Sequence, residues 1–257
     1  MSVLARERRD RVEVLRLDRP ESRNAMNPEL SLAIEQALDD VETDPEVWAV
    51  VLTGTGPVFC AGADLKVIAS GGGAEIETAR GGFGGFVQRD FPKPVIAAVN
   101  GHALAGGFEL VLACDLVVAA DDATFGLPEV KRGLLASAGG PIRLAKRVPL
   151  ATALEIVMTG DPITAAHAQA LGLVNRVVPA DRVVDEALAL AARIAEASPA
   201  AVRGVRRLVR DSVDLAEADA WALNRTIMGE VFAAGDAIEG ATAFVEKRSP
   251  TWNPPVS

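Results

Sequence analysis

The chain contains no tyrosine and few aromatic residues of any kind. Aromatic residues make up 4% of its 257 residues, whereas 49% are hydrophobic and 24% are charged. The core must therefore be built from small and branched aliphatic side chains, which suit close packing of helices on strands. These hydrophobic and charged fractions are typical of globular proteins and exclude a disordered chain.

Cysteine and histidine are also scarce, with two of each. Cys60 and Cys114 lie far apart in the sequence, and neither belongs to a CxxC or Cys/His pattern. This spacing argues against a structural zinc site and against a disulfide framework, so we expect no metal. Two isolated cysteines fit a reducing compartment, and we predict a cytoplasmic location.

The sequence lacks long apolar runs and an excess of positive charge. It contains no stretch of about 18 apolar residues, the length of a membrane-spanning helix. Residues 1–10 are rich in Arg, Glu and Asp and have no apolar core of a signal peptide. The formal net charge of -9 argues against binding to nucleic acid or to an anionic membrane. We therefore expect neither partner, and any anionic ligand must meet a local basic patch.

Buried strands alternate with turns in the first half of the chain. Three apolar runs, each closed by Gly, Asn or Asp, cover residues 47–53, 94–99 and 115–120. The alternating segment 11–17 predicts a half-buried strand, and Pro28 opens an amphipathic helix that extends to Val41. A short helix is predicted over residues 108–113. This succession predicts an α/β fold.

Helical spacing dominates after Leu150. The predicted helices cover residues 151–158, 164–171, 181–197, 199–211, 215–228 and 236–244, and residues 172–178 form a further strand.

Residues 70–85 are rich in glycine. They are interpreted either as a mobile segment over a binding site or as an ordinary surface loop.

The first motif of chemical interest is F-C-A-G-A-D-L at residues 59–65. Its small residues at 61–63 allow a ligand to approach the main chain and leave backbone N–H groups free to donate. An alternative interpretation is a tight turn from strand to helix in which Asp64 caps a helix that begins at Leu65.

The second motif, V-N-G-H-A-L-A-G-G-F-E-L at residues 99–110, joins an apolar strand to a helix. The N-terminus of a helix presents unpaired N–H groups and the positive end of its dipole, so the Gly106 amide can stabilise a developing negative oxygen. Glu109 follows three residues later, at the position of a capping-box glutamate. A capping role and a catalytic role for Glu109 both remain open.

The third motif is T-F-G-L-P-E-V at residues 124–130, in which Glu129 follows Pro128. A single glutamate in such a loop is usually solvated. Together with Glu109, however, it supplies the second carboxyl group that acid–base catalysis on one substrate requires.

The three motifs in this order resemble the crotonase, or enoyl-CoA hydratase, family. The resemblance covers nearly the whole chain, from R-P at 19–20 and N-A-M-N at 24–27 to L-G-L-V-N-R-V-V-P at 171–179 and E-K-R at 246–248. It implies a crotonase-like spiral of ββα units with a C-terminal helical region. It also implies an α/β core domain over residues 1–198 and a helical trimerisation region over residues 199–257, in a homotrimer or a dimer of trimers.

The resemblance also implies the chemistry. The amides of Ala63 and Gly106 would form an oxyanion hole for a thioester carbonyl, Glu109 would activate water, and Glu129 would donate a proton. The implied reaction is that of an enoyl-CoA hydratase, which adds water to an α,β-unsaturated acyl-CoA thioester to give 3-hydroxyacyl-CoA. No cofactor is expected, because coenzyme A is part of the substrate. A closed pocket should raise at least one carboxyl pKa toward neutrality.

The residues expected to bind the CoA part of the substrate combine basic side chains with the two loops. They are Arg23, Ala61, Ala63, Asp64, Leu65, Lys66, Gly106 and Lys247. The chain departs from similar hydratases at Ala136-Ser137, where they have a Pro-Gly step whose glycine backbone helps to seat the water.

Other functions are compatible with the same motifs, including that of another acyl-CoA enzyme of the crotonase family. An enoyl-CoA isomerase would need one base and the oxyanion hole, and it would convert a 3-enoyl-CoA without forming a 3-hydroxyacyl product. A non-catalytic acyl-CoA-binding homologue would bind the thioester tightly and leave it unchanged.

Overall fold

A computed structural model describes residues 2–253, so residue 1 and residues 254–257 of the predicted helical region lie outside the described range. The strands, numbered in chain order, are β1 (Leu4–Arg9), β2 (Val12–Leu17), β3 (Ala49–Gly54), β4 (Val58–Cys60), β5 (Glu77–Thr78), β6 (Gly82–Phe83), β7 (Val95–Val99), β8 (His102–Leu104), β9 (Leu116–Ala120), β10 (Thr124–Gly126), β11 (Ile163–Thr164) and β12 (Arg176–Val178). The helices are α1 (Pro28–Thr43), α2 (Leu65–Ala69), α3 (Gly106–Ala113), α4 (Gly140–Arg147), α5 (Leu150–Thr159), α6 (Ala165–Ala170), α7 (Val183–Ala195), α8 (Pro199–Ser212), α9 (Glu217–Ala233) and α10 (Asp236–Glu246).

The larger sheet has the strand order β1-β2-β3-β7-β9-β12. Only β1 and β2 pair in antiparallel fashion, and the other neighbours are parallel. Every residue of β3 and β7 is buried, which explains why these strands are mostly continuous Val, Ala, Ile and Leu rather than alternating residues. The predicted α/β class is confirmed.

A smaller sheet, with the order β11-β10-β8-β4, positions the three motifs. Strands β4, β8 and β10 are parallel, and each follows a strand of the larger sheet in the chain. The carboxyl ends of parallel strands meet at one edge of a sheet. Residues 61–65, 105–109 and 127–129 leave these three ends, so the motifs converge although they are far apart in sequence.

Sequence patterns missed several elements, among them the first strand and a helix. Strand β1 is mostly exposed, and its side chains Arg6 and Arg8 form ion pairs with the buried Glu13 of β2 rather than showing an apolar face. Helix α4, over which no element was predicted, begins directly after Gly139, which has a φ of +95°. The predicted strand over 172–178 is confined to β12, because Gly172 begins a turn.

The C-terminal helices pack on one another more than on the core, with α8 against α9 and α9 against α10. Helix α8 begins at Pro199, where the helical region was predicted to begin. Their apolar faces are largely exposed, and the large residues concerned are Val205, Val209, Val213, Trp221, Met228, Phe232, Ile238, Phe244 and Val245. No helix within residues 2–253 has the length and apolar character needed to cross a membrane.

Candidate active site

A cavity of about 670 Å³ opens where strands β4, β8 and β10 end. Its walls come from the turns around residues 21–25, the loop and helix at 61–68, the start of α3 and the segment 128–138. Ile76, Phe83 and Leu104 add apolar surface. A separate hollow of about 540 Å³ beside α8 and α9 contains none of the predicted site residues. The predicted site residues therefore gather at the first cavity.

Backbone hydrogen bonds hold the 61–65 loop against the segment that precedes α1. The Met26 N–H donates to the Gly62 carbonyl over 2.7 Å, and the Asp64 N–H donates to the Met26 carbonyl over 2.8 Å. Gly62 has a φ of +97°, which a residue with a side chain rarely adopts. Within residues 2–253, no acceptor pairs with the Ala63 N–H. That group remains available to a ligand in the cavity.

A second unpaired amide lies at the start of α3. Ala105 has a φ of 53°, an uncommon conformation for a residue with a side chain, and its N–H donates to the Gly126 carbonyl over 2.8 Å. This turn makes Gly106 the first residue of the helix, where the N–H has no intrahelical acceptor. A methyl group on Gly62 would lie 3.1 Å from the Gly106 nitrogen, so the two loops are in contact.

Glu109 lies one turn inside α3 and is only 3% exposed. Its Oε1 atom accepts a 2.8 Å hydrogen bond from the Gly140 N–H. Burial raises the pKa of Glu109 to about 7; the nearby charge of Glu129 adds to this rise, and the backbone N–H groups of Gly140 and Ala138 oppose it. The carboxyl group is therefore poised to gain and lose a proton near neutral pH.

Glu129 presents the second carboxyl group from a helical turn at Pro128–Arg132. It is half-buried, and its Oε2 atom is buried without a hydrogen-bond partner among the described residues. Burial raises the pKa of Glu129, against the effects of its own backbone N–H and of Arg132. An unsatisfied carboxyl oxygen is costly to bury, which is typical of groups that act on a ligand.

The structure brings all but one of the predicted binding residues to this cavity. Arg23, Ala61, Leu65 and Lys66 line it together with the two glutamates. Lys247 does not; it follows the last residue of α10 and is exposed. No cluster of three His, Cys, Asp or Glu side chains within residues 2–253 is placed to hold a metal ion.

Asp64 lines the cavity, but its carboxylate is already engaged. It accepts hydrogen bonds from the Lys66 N–H at 3.1 Å, as the N-cap of α2, and from the Arg19 guanidinium at 3.1 Å. The helix-cap interpretation of Asp64 is therefore confirmed. Its side chain braces the 61–65 loop.

Sequence reasoning missed the residues behind Glu109. Neither the Gly140 N–H nor the side chain of Arg143, which contacts the same turn, was predicted. The available signal was the Gly139-Gly140 pair that follows the second glutamate. Ser137, the noted departure from similar hydratases, is exposed on the cavity wall.

Comparison with known proteins places this chain beside acyl-CoA enzymes. The family model described as enoyl-CoA hydratase/isomerase matches residues 7–255. The chain is 40% identical over 242 residues to a carnitinyl-CoA dehydratase of Proteus mirabilis (strain HI4320), with 92% of each protein covered. It is 38% identical over 244 residues to a probable enoyl-CoA hydratase of Mycobacterium tuberculosis (strain CDC 1551 / Oshkosh), with 95% of each covered.

Solved structures agree with these relatives. The crystal structure of an enoyl-CoA hydratase from Mycobacterium tuberculosis H37Rv superposes with a TM-score of 0.94 at 42% identity, covering 99% of this chain and 100% of that chain. A carnitinyl-CoA hydratase from Mycobacterium avium superposes with a TM-score of 0.78 at 46% identity, with the same coverage. The predicted arrangement of ββα units followed by C-terminal helices is thus the fold of enzymes that are similar in sequence.

Proposed function

The chain belongs to the enoyl-CoA hydratase/isomerase family, and from that premise we propose that it is a hydro-lyase that adds water to an α,β-unsaturated acyl-CoA thioester to give a 3-hydroxyacyl-CoA. The observation that carries this proposal is the pair of carboxyl groups of Glu109 and Glu129, both with raised pKa, on the wall of one cavity. Adding water across a double bond needs a base and an acid, and two such groups can share these tasks.

The unpaired amides of Ala63 and Gly106 form the proposed oxyanion hole. Water adds to the β-carbon of the substrate, and the electrons of the double bond move toward the thioester, whose oxygen becomes negative. Two preorganised N–H donors at that oxygen stabilise the charge where it develops. The dipole of α3 adds to this effect, because its positive end is at Gly106.

Glu109 is the proposed base. The Gly140 N–H fixes one of its oxygens, which orients the carboxylate, and at neutral pH a substantial fraction is ionised. It takes a proton from the water that attacks the β-carbon. Glu129, whose pKa burial also raises, is the proposed acid that donates a proton to the α-carbon and collapses the enolate. The two roles exchange in dehydration, the direction named for the Proteus relative.

Arg23 and Lys66 are proposed to meet the phosphates of CoA, because they line the same cavity as Ala61 and Ala63. Their positive charge provides the local basic patch that an acidic protein needs for an anionic ligand. The backbone of the 61–65 loop is proposed to hold the pantetheine and thioester end.

The decisive experiment offers the purified protein a series of 2-enoyl-CoA thioesters, from crotonyl-CoA to longer chains, and detects products by mass. Formation of 3-hydroxyacyl-CoA supports the proposal. Conversion of a 3-enoyl-CoA without any 3-hydroxyacyl product would favour the isomerase alternative instead. Tight acyl-CoA binding in calorimetry, with every thioester left unchanged, would favour the non-catalytic homologue.

We also propose that the subunits assemble through α8–α10 into a homotrimer or a dimer of trimers. The exposed apolar side chains on these helices support this, because such a surface is unfavourable in water. Lys247, which does not line the cavity of its own subunit, is proposed to reach CoA in the cavity of a neighbouring subunit. Light scattering during size-exclusion chromatography measures the assembly mass, and a monomer at micromolar concentration would overturn the proposal.

A further inference from the structure

Arg143 is a half-buried cation whose hydrogen bonds all go to backbone carbonyls. Its Nη1 donates to the Ala138 carbonyl over 3.1 Å, and its Nη2 donates to the Val87 carbonyl. Within residues 2–253, no carboxylate oxygen lies within 4.0 Å of its nitrogens, although most other buried or half-buried arginines of this chain form ion pairs. The guanidinium is thus held in place without a direct counter-ion.

This placement is electrostatically unfavourable unless an opposite charge nearby compensates it. Burial lowers the pKa of Arg143, and the charges of Arg210 on α8 and of Arg147 on α4 lower it further. The groups that oppose this effect are Glu109 and the thiol of Cys114, both on or beside α3. A neutral thiol offers little compensation, so Glu109 is the acidic group whose charge Arg143 balances.

The contacts of Arg143 lie directly behind Glu109. A methyl group on Gly139 would be 2.2 Å from Nη1 of Arg143, so the guanidinium packs on the backbone of the 138–140 turn. That turn supplies the Gly140 N–H that binds Oε1 of Glu109, and the Ala138 N–H faces the same carboxyl group. Movement of the turn would move the donors that orient the carboxylate.

The hydrogen bond from Arg143 to Val87 connects it to the segment beside Gly106. The Val87 carbonyl that accepts from Arg143 belongs to a segment in which the Val87 N–H donates to the Phe83 carbonyl over 3.4 Å. The ring of Phe83 packs on the α carbon of Gly106, a residue that lines the cavity. One guanidinium therefore bridges the turn behind Glu109 and the segment that covers Gly106.

We propose that Arg143 is a positioning residue of this reaction, whose guanidinium fixes the 138–140 turn behind Glu109 and ties that turn to the segment that carries Phe83. The proposal rests on the proposed function, because it takes Glu109 to be the base. Electrostatics agree with the geometry, since the charge of Arg143 favours the ionised form of Glu109, against the effects of burial and of Glu129.

The test compares Arg143→Met with Arg143→Lys, and Arg147→Met serves as the matched control. Arg147 is on the same helix, its pKa is also lowered by burial, and it also donates to a backbone carbonyl, but that carbonyl belongs to Cys114 and not to the 138–140 turn. Rates of hydration of crotonyl-CoA, or of the best thioester in the series, are measured from about pH 5 to pH 9 together with the thermal midpoint of unfolding.

We expect Arg143→Met to move the acid limb of kcat/KM upward by about one pH unit, because removing a nearby positive charge makes Glu109 harder to ionise. At pH 6 this corresponds to a loss of about tenfold, with kcat falling more than KM rises. In Arg143→Lys the acid limb of kcat/KM should lie close to its wild-type pH, and in Arg147→Met its position should not change. A limb that stays at its wild-type position in Arg143→Met would overturn the proposal.

Failure of the proposed function is separable from failure of this inference. If the wild type hydrates no thioester, stability replaces rate as the readout: Glu109→Gln is placed in the wild-type and Arg143→Met backgrounds, and the thermal midpoints are compared against pH. As pH rises, the Glu109→Gln variant should become more stable than the protein that keeps Glu109. In the Arg143→Met background this gain should continue to a higher pH than in the wild type. Identical ranges in both backgrounds would show that Arg143 does not act on Glu109.

Discussion

The ring of Phe83 covers the α carbon of Gly106, and a methyl group added to that carbon would lie 2.3 Å from Cζ of the ring. Gly106 begins α3 with an N–H that has no intrahelical acceptor, and both Gly106 and Phe83 line the cavity. The ring therefore limits where the N-terminus of the helix can be. A side chain at position 106 must displace either the ring or the amide.

Gly106→Ala is expected to lower kcat at least about tenfold, because a displaced N–H no longer meets the thioester oxygen, and loss of one oxyanion donor typically costs more than that. Steady-state rates with the best enoyl-CoA measure the effect. If the clash with Phe83 is the cause, Phe83→Leu in the same protein should recover part of the loss. Gly229→Ala is the control, since a methyl group there would have no neighbour within 4 Å.

Glu109→Gln and Glu129→Gln are each expected to reduce hydration by about a hundredfold or more, because each removes one partner of the proton transfers. Binding of the product CoA thioester, measured by calorimetry, should change far less. Glu155→Gln, at an exposed position on α5, should have no effect and controls for the change of charge. Full activity in either active-site variant would contradict the assignment.

The rate of the wild type is expected to depend on pH through Glu109. Hydration needs the ionised base, and burial raises the pKa of Glu109 to about 7. The acid limb of kcat/KM should therefore have its midpoint near pH 7, and the limb should vanish from the residual activity of Glu109→Gln. A limb near pH 4.5, the ordinary value for glutamate, would show that burial does not control this group.

Stability should depend on the same proton. The folded protein binds it with a pKa of about 7 and the unfolded chain with an ordinary value of 4.5, so the folded state loses stability as pH rises between these values. Glu109→Gln carries no charge and should be more stable than the wild type by on the order of 1 to 3 kcal/mol above pH 7. Near pH 4 the advantage should disappear. Thermal unfolding at several pH values tests this, and a constant difference would contradict it.

Asn24 joins three loops beside the site and is fully buried. Its Nδ2 donates to the Val58 carbonyl at 2.8 Å and to the Thr55 carbonyl at 3.0 Å, and its Oδ1 accepts from the Arg19 N–H at 3.0 Å. Asn24→Ala is expected to cost about 2 to 4 kcal/mol of stability, because two partly buried carbonyls lose their donor.

Asn24→Gly separates the contribution of the side-chain hydrogen bonds from that of the backbone conformation, because residue 24 has a φ of 53°. Glycine adopts this conformation freely, so the Gly variant loses the hydrogen bonds and avoids the strain; it should be more stable than the Ala variant by about 1 kcal/mol. Chemical denaturation of both variants measures the difference. Equal stability of the Gly and Ala variants would show that the backbone conformation at residue 24 carries no strain.

Predictions from sequence agreed with the structure where residues close together in the chain determine the conformation. The start of α3 was predicted within a few residues, because Gly106-Gly107 breaks a strand and admits a helix. The capping role of Asp64 was an open alternative and proved correct, because an N-cap depends on the next two or three residues. The apolar runs of β3, β7 and β9 were clear because strands buried on both faces need no alternation.

The sequence alone determined the α/β class, the three motifs and the two glutamates, because these depend on local patterns and on their order along the chain. Tertiary structure alone decided that Glu109 is buried, that Gly140 donates to it, and that Arg143 lies behind the turn that carries Gly140. These facts depend on how α4 packs on α3. A pKa follows from the solvent and the charges around a group, and parts of the chain that are distant in sequence supply both.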